Sequence, residues 1–237
     1  MFVPSGLQRM LLRRLILSTS RHAYVITTNA FIESLYEAEG IPSLAQLSIW
    51  PSDFWKPTME EVPARVFDLV MVVRRGAMKR SDLYRDLLQT MKGRRCAVIC
   101  SDVEIHSLFS GLAESCLIRP SDEEMKDLYK RSRIFVSLSD TEGFGLTPIE
   151  AMGQGCVPVC RDSGGVRCYL TGAMQQNLVP QDEPLAVVTS RINEILNDAA
   201  EIARLSDAAR MIFDEGAHQS RLKRDAGIER LAHTLRG

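Results

Sequence analysis

Short apolar runs alternate with amphipathic stretches along most of the chain. Residues 65–73, 96–100, 134–138 and 157–160 are nearly continuous runs of apolar side chains. Such runs are typical of parallel strands, because helices cover both faces of a parallel sheet and exclude water from it. Stretches with helical spacing, such as 81–91, lie between them. The alternation predicts an α/β fold with a Rossmann-like, doubly wound parallel sheet.

Local signals predict where individual helices begin and end. Ser121 and Glu124 have the spacing of a capping box, which starts a helix that runs to about Lys130. The last part of the chain has no strand pattern and predicts helices at 184–197, 199–214 and 219–235. We therefore expect the sheet to be followed by a helical C-terminal extension.

The chain begins with a basic, amphipathic segment. Residues 1–21 contain arginines but no acidic residue, and their apolar positions have helical spacing. An ordinary surface helix and a helix that contacts anionic lipid both have this pattern. Further along, Pro51, Pro57 and Pro63 interrupt any helix, so this segment is predicted to be a linker.

Composition and charge narrow the functional classes. The chain has 237 residues, 29 basic and 30 acidic, with a net charge of −1. This balance argues against nucleic-acid binding, which needs a basic excess. The six cysteines form no C-x-x-C pair, which favours reduced structural thiols in a cytoplasmic protein. No metal-ligand cluster is apparent, and no apolar run is long enough to span a membrane.

The loop and helix after the run 134–138 have the features of an anion site. Gly143 and Gly145 permit a sharp turn and a close approach of a ligand to the backbone. Thr147 is predicted to cap the following helix and Pro148 to occupy its first position. The free amides at that helix start, near 145–147, would attract a phosphate-like anion. Glu150 could contact a ligand there, or form a capping box with Thr147.

The longer string around this loop resembles a known family. Glu142-Gly-Phe-Gly-Leu-x-Pro-x-Glu150-Ala-Met, followed by Gly155 and the pair Gly164-Gly165, is similar to the Glu-x7-Glu signature of glycosyltransferase family 4. These are retaining enzymes with the two-domain GT-B fold. The resemblance implies that Glu142 faces the donor sugar and that Glu150 accepts hydrogen bonds from the ribose hydroxyls. The donor-binding backbone and side chains would be those of Gly143, Phe144, Gly145, Leu146 and Thr147.

A second segment resembles the basic pair with which that family neutralises the donor diphosphate. Arg74 and Lys79 occupy the corresponding positions, and with Glu142 they are the predicted catalytic residues. Cations beside a diphosphate would stabilise the negative charge that develops on the leaving group. Arg75 and Arg80 lie in the same segment and are alternative assignments.

The length of the chain implies an incomplete enzyme of this type. Under the resemblance, residues 1–57 correspond to the end of an N-terminal acceptor domain and its linker, and 58–237 to the donor-binding domain. A partner chain could supply the absent half, and contact with a membrane surface is a further expectation. The donor would be a UDP-, GDP- or ADP-sugar, with no other cofactor, and the acceptor is not identified.

Three alternatives belong to other functional classes. A regulatory module of the same fold would keep the sheet without turnover. A GT-B phosphorylase or epimerase would share the phosphate site with a different donor. A nicotinamide-dependent oxidoreductase is disfavoured, because Arg74-Arg-Gly follows the first long strand where a dinucleotide-binding sheet has G-x-G-x-x-G.

Overall fold

The computed structural model of the protein describes residues 25–38, 40–41, 43–56 and 64–236. The predicted N-terminal helix and most of the predicted linker lie outside these residues, as does the predicted domain boundary at residue 57. Contacts divide the chain into two compact units, 1–50 with 216–237, and 51–215. The assignment of an acceptor-domain remnant and a donor-binding domain stays a prediction.

The smaller unit contains a short pair of parallel strands. β1 (Ile26–Thr27) pairs with β2 (Ala45–Gln46), and α1 (Ala30–Ala38) connects them. The C-terminal part of the last helix of the chain packs closely on this pair. An added Cβ at Gly227 would lie 2.8 Å from the carbonyl oxygen of Gln46. Glycine is needed there because any side chain would push the helix away from β2.

The larger unit is built on a sheet of six parallel strands. Its order is β5-β4-β3-β6-β7-β8. The strands are β3 (Phe67–Val73), β4 (Cys96–Cys100), β5 (Ser115–Ile118), β6 (Ser132–Ser137), β7 (Val157–Arg161) and β8 (Leu178–Val179). The order confirms the predicted α/β, doubly wound sheet, and β3 and β6 at its centre are almost wholly buried.

Helices connect the strands and continue beyond the sheet. They are α2 (Ser81–Thr90), α3 (Val103–Phe109), α4 (Asp122–Lys130), α5 (Leu146–Gly153), α6 (Leu185–Leu196) and α7 (Ala199–Arg236). The predicted capping box of α4 is confirmed, since the Ser121 and Glu124 side chains each bond the other residue's backbone amide. Among the described helices, none combines the length and apolarity needed to cross a bilayer.

The predicted break between two C-terminal helices is wrong. Residues 199–236 form one continuous helix, α7. Gly216, which falls in the predicted gap between residues 214 and 219, lies within the helix. An added Cβ there would lie 2.1 Å from the Trp50 ring. This glycine therefore makes room for an aromatic side chain, and no proline nearby forces the helix to end.

Arg65, just before β3, links the sheet to the helices that follow it. Its guanidinium donates to the carbonyl oxygens of Ser132 at 2.6 Å and Gln154 at 3.3 Å, and to the hydroxyl of Ser206 at 3.2 Å. Ser206 in turn donates to the carbonyl oxygen of Gly155 at 2.7 Å. Burial lowers the pKa of Arg65. The charge is retained because these oxygens replace its water shell.

We expect Arg65→Ala to reduce the free energy of unfolding by about 2–3 kcal/mol, because it leaves buried carbonyl groups without donors. Urea denaturation followed by circular dichroism measures this loss. Arg85→Ala is the matched control, since the Arg85 side chain is half exposed on α2 and should change stability by less than about 0.5 kcal/mol. Equal losses in the two variants would contradict the structural role of Arg65.

Candidate functional site

The strand order places two loops together at one edge of the sheet. From β3 the chain moves outward to β4 and β5, then returns to β6 and moves outward in the opposite direction. The segments after β3 and after β6 therefore leave neighbouring strands on opposite sides. In open α/β sheets this reversal point forms a crevice at the carboxyl ends of the strands. Residues 74–80 and 138–145 border it here.

The crevice brings together most of the predicted residues. Its volume is about 330 Å³, including the open mouth. Five predicted residues line it: Arg74, Lys79, Glu142, Gly145 and Thr147. Gly143, Phe144, Leu146 and Glu150 do not line it. Within the described residues, no group of three histidine, cysteine or acidic side chains is placed to hold a metal ion.

The helix at the crevice begins two residues earlier than predicted. The cap residue is Gly145, in the left-handed conformation with φ 78° and ψ 63°, and α5 starts at Leu146. The prediction that Thr147 is the cap is wrong, because the left-handed turn at Gly145 already sets the helical direction. No side chain caps this start. The first amides of a helix lack partners within it, so those of Leu146 and Thr147 are available to an anion.

Tyr169 fixes the left-handed turn. Its buried hydroxyl donates to the carbonyl oxygen of Gly145 at 2.8 Å. Its ring meets the Phe144 ring edge to face, with centroids 5.8 Å apart. An added Cβ at Gly145 would lie 2.8 Å from the same hydroxyl. The turn therefore needs glycine for its conformation and for its contact with Tyr169.

Glu150 has a different environment from the predicted capping box. The start of α5 has no side-chain cap, and no described residue hydrogen-bonds to the Glu150 carboxylate. Burial and, to a smaller extent, the nearby Asp122 carboxylate raise the pKa of Glu150 to about 7, with Arg74 opposing both. A half-buried acceptor without a donor can receive hydrogen bonds from a ligand.

The four basic residues after β3 have different partners. The Lys79 ammonium lies 2.7 Å from Glu142 Oε1 and 3.3 Å from the carbonyl oxygen of Thr141. An Arg74 Nη2 lies 3.5 Å from the Thr147 hydroxyl, at the start of α5. Arg75 pairs with Asp102 and Glu104, and Arg80 with Asp82 and Asp140. Only Arg74 and Lys79 among these four line the crevice.

The glycine-rich loop is held by the segment after β7. The Glu142 amide donates to the carbonyl oxygen of Ser163 at 3.0 Å, and the Gly165 amide donates to the carbonyl oxygen of Glu142 at 3.3 Å. An added Cβ at Gly165 would lie 2.5 Å from Phe144 Cα and 2.6 Å from the carbonyl oxygen of Gly143. The two backbones can approach this closely only because position 165 is glycine.

Several residues at the site were not predicted. Ser137, Ser139 and Tyr84 line the crevice. The Tyr84 hydroxyl accepts a hydrogen bond from the Leu138 amide at 2.8 Å and so fixes the end of β6. Ser139 could have been noted, since it lies in the same loop as Glu142. Nothing in the sequence near Tyr84 indicates that it reaches a loop more than 50 residues away.

Comparison with known proteins finds a family model that matches the central segment of the chain. Residues 111–211 match the family model of glycosyl transferases group 1. This segment covers α4, β6, the glycine-rich loop, α5 and β7. A putative glycosyltransferase of Sulfolobus islandicus filamentous virus is 50% identical over 52 residues, 22% of this chain and 16% of that protein. The mannosyltransferase LpsB of Rhizobium meliloti is 30% identical over 98 residues, 41% of this chain and 28% of its own length.

A solved structure shares the fold. Anabaena HepE, in complex with UDP-glucose, superposes with a TM-score of 0.74 at 15% identity over 95% of this chain and 68% of HepE. This similarity supports the predicted GT-B type of doubly wound sheet. The chain spans less than a third of either curated relative.

We expect Gly165→Ala to displace the glycine-rich loop and to cost about 1–3 kcal/mol, because its Cβ would overlap backbone atoms that cannot rotate away. Thermal denaturation and proteolysis of the loop measure the two effects. Gly111→Ala is the control, since an added Cβ there meets nothing within 4 Å. A normal melting temperature together with an intact loop in Gly165→Ala would contradict the close packing.

The raised pKa of Glu150 predicts a pH-dependent stability. The folded chain retains the Glu150 proton up to about pH 7, whereas an unfolded glutamate loses it near its ordinary pKa of 4.5. The folded state binds more protons between these values, so this group lowers stability as the pH rises from 4.5 to 7. Glu150→Gln removes the penalty and should raise the melting temperature at pH 8 by about 3–6 °C, with little change at pH 4.

Glu123→Gln is the control for this experiment, because the Glu123 side chain is exposed on α4. It should show no such pH-dependent gain. A Glu150→Gln variant whose melting temperature differs from that of the wild type equally at pH 4 and pH 8 would show that Glu150 does not titrate in this range.

Proposed function

We propose that the chain binds a nucleoside-diphosphate sugar in the crevice at the carboxyl ends of β3 and β6. The observation that supports this most directly is the convergence of Arg74, Lys79 and the uncapped start of α5 on one crevice. Two cations and free helix amides together match the charge and the multiple acceptor oxygens of a diphosphate. Glu142 would face the sugar and Glu150 the ribose, as the family resemblance implies.

The positive charges at the crevice can balance the charge of a diphosphate. A diphosphate would meet Arg74 at the start of α5 and the Lys79 ammonium. Lysine has three donors, and Glu142 and Thr141 use two of those of Lys79. The third donor can bind a phosphate oxygen while the ion pair with Glu142 keeps the side chain in place.

We further propose that the activity is glycosyl transfer with retention of anomeric configuration, to an acceptor not yet identified. The departing diphosphate would receive stabilisation from the amides of Leu146 and Thr147 and from Arg74 and Lys79. Donors of this kind, aimed at developing charge in a site that excludes water, contribute about 3 kcal/mol each to the transition state. Attack by the acceptor on the face from which the diphosphate leaves would give retention.

In this proposal a second domain completes the active site by binding the acceptor. The family resemblance implies that the donor binds to one domain of a two-domain fold and the acceptor to the other, and the crevice between β3 and β6 would be the donor side. An acceptor domain would then come from a partner chain. The chain alone should bind donor and should transfer sugar only when that partner is present.

Calorimetric titration with UDP-glucose, GDP-mannose and ADP-glucose tests the binding step. We expect saturable binding of at least one, and a loss of about tenfold in affinity for Lys79→Ala and for Glu150→Ala, because each removes a charged or buried hydrogen-bonding partner. Lys92→Ala, on an exposed turn after α2, is the matched control and should bind as the wild type does.

Binding of none of the three donors by the folded wild type would overturn the proposal and favour a regulatory module of the same fold. Undiminished affinity in both variants would overturn the assignment of Lys79 and Glu150. Rapid transfer by the chain alone would contradict the need for a partner.

A further inference from the structure

Asp140 holds together more elements at the crevice edge than any predicted residue. Its carboxylate accepts from Arg80 at 3.2 and 3.4 Å and lies 3.7 Å from an Arg161 nitrogen at the end of β7. Its amide donates to the carbonyl oxygen of Met78 at 2.9 Å, and its carbonyl oxygen accepts from the Gln181 side chain. The segments after β3, β6 and β8 and the last residue of β7 therefore meet at Asp140.

Arg80 adopts an unusual backbone conformation to reach this carboxylate. It has φ 51° and ψ 49°, the left-handed region that side chains other than glycine rarely occupy. Its guanidinium is committed to Asp82 and Asp140. A strained backbone persists only where surrounding contacts hold it, and strain of this kind collects at functional sites. The two carboxylates bind its side chain, and its backbone ends the Ala77–Lys79 turn and precedes α2.

The strained residue immediately follows Lys79, and this links Asp140 to the crevice. Lys79 hydrogen-bonds to Glu142 and Thr141, and Arg80 hydrogen-bonds to Asp140. Two adjacent residues of the loop after β3 therefore bind three adjacent residues of the loop after β6. The Met78 and Asp140 backbones add a further bond between the same loops. We call this set of contacts the loop clamp. Asp140 does not line the crevice, so it can act on a ligand only through the clamp.

We propose that Asp140 is a positioning residue that, through Arg80, holds the Lys79 ammonium at the crevice. This inference rests on the proposed function, in which Lys79 binds the donor diphosphate. Without the Arg80–Asp140 pair, the Ala77–Lys79 turn keeps a single ion pair to the opposite loop, and the Lys79 ammonium samples positions outside the crevice. Lysine is a flexible point charge, so its placement depends on such contacts.

The reactivity of Lys79 tests the positioning without any ligand. The full chain is treated briefly with the N-hydroxysuccinimide ester of acetic acid, and acetylation at each lysine is followed by peptide mass spectrometry. We expect Asp140→Asn and Arg80→Gly to raise the rate at Lys79 about fivefold, because the amine leaves its ion pair more often. The rate at Lys92 should not change. Glycine tolerates the left-handed conformation, so Arg80→Gly removes the ion pair without adding strain.

Binding of nucleoside diphosphates separates positioning from general stability. With UDP, GDP and ADP as probes, Asp140→Asn should raise the Kd of the diphosphate that binds by about tenfold. In a Lys79→Gln background the same substitution should change the Kd less than about twofold. Asp86→Asn, an exposed carboxylate on α2, is the matched control and should leave the Kd unchanged. A structural effect alone would weaken binding equally in both backgrounds.

The two measurements keep this inference apart from the proposed function. An unchanged acetylation rate at Lys79 in both variants would overturn the positioning role, whatever the chain binds. Equal changes in Kd with and without Lys79 would overturn it as well. A wild type that binds none of the three diphosphates would overturn the proposed function, while a faster acetylation of Lys79 in Asp140→Asn and Arg80→Gly would still support the clamp.

Discussion

The reversal of strand order between β3 and β6 is the constraint on which the rest of the larger unit depends. Because the chain leaves these neighbouring strands in opposite directions, the loops that follow them cannot pack against each other along their whole length, and a crevice opens between them. Every polar group that we assign to the proposed donor site is on one of these loops or on the helix that follows the second. The helices α2 and α5 are thereby brought to face the same opening.

Backbone contacts give the second loop its shape. Glu142 pairs with the segment after β7 through its amide and carbonyl groups, Gly165 lies against the backbone of Phe144, and Tyr169 bonds the carbonyl oxygen of Gly145. None of these contacts involves a side chain that would touch a ligand. They fix the loop that leads into α5, and preorganised amides lose little entropy when an anion binds. The same backbone contacts thus make the loop rigid and prepare the start of α5 to bind an anion.

Charge is balanced within the two loops before any ligand is present. Lys79 is paired with Glu142, and Arg80 with Asp82 and Asp140, so like charges are separated and each cation has a defined direction. A bound diphosphate would add negative charge beside Glu142 and Glu150, and the helix start, Arg74 and the remaining donor of Lys79 would compensate for it. The burial of Glu150 favours its neutral form, which limits the repulsion that a second carboxylate would otherwise add.

Local chemistry was enough for much of the architecture. The buried strands were predicted from continuous apolar runs, and the capping box of α4 from two residues three positions apart, because strand burial and helix capping depend on near neighbours in sequence. The glycine-rich loop and its place at the end of β6 followed from the same kind of pattern. The helix-start pattern singled out Gly145 and Thr147, and the family resemblance singled out Arg74, Lys79 and Glu142. Their common location at one crevice follows from the reversal of strand order between β3 and β6.

Contacts between residues distant in sequence determined the features that the sequence did not predict. Gly216 stays inside α7 because Trp50 fills the space beside it, so a residue that often ends helices does not end this one. Gly145 and not Thr147 caps α5, because Tyr169 holds the turn from 24 residues away. The partners of Arg75 and Arg80, the burial of Glu150 and the central place of Asp140 likewise depend on which loops meet. A sequence determines the preferences of each segment, but the direction and pairing of a charged side chain are set by neighbours that only the folded chain supplies.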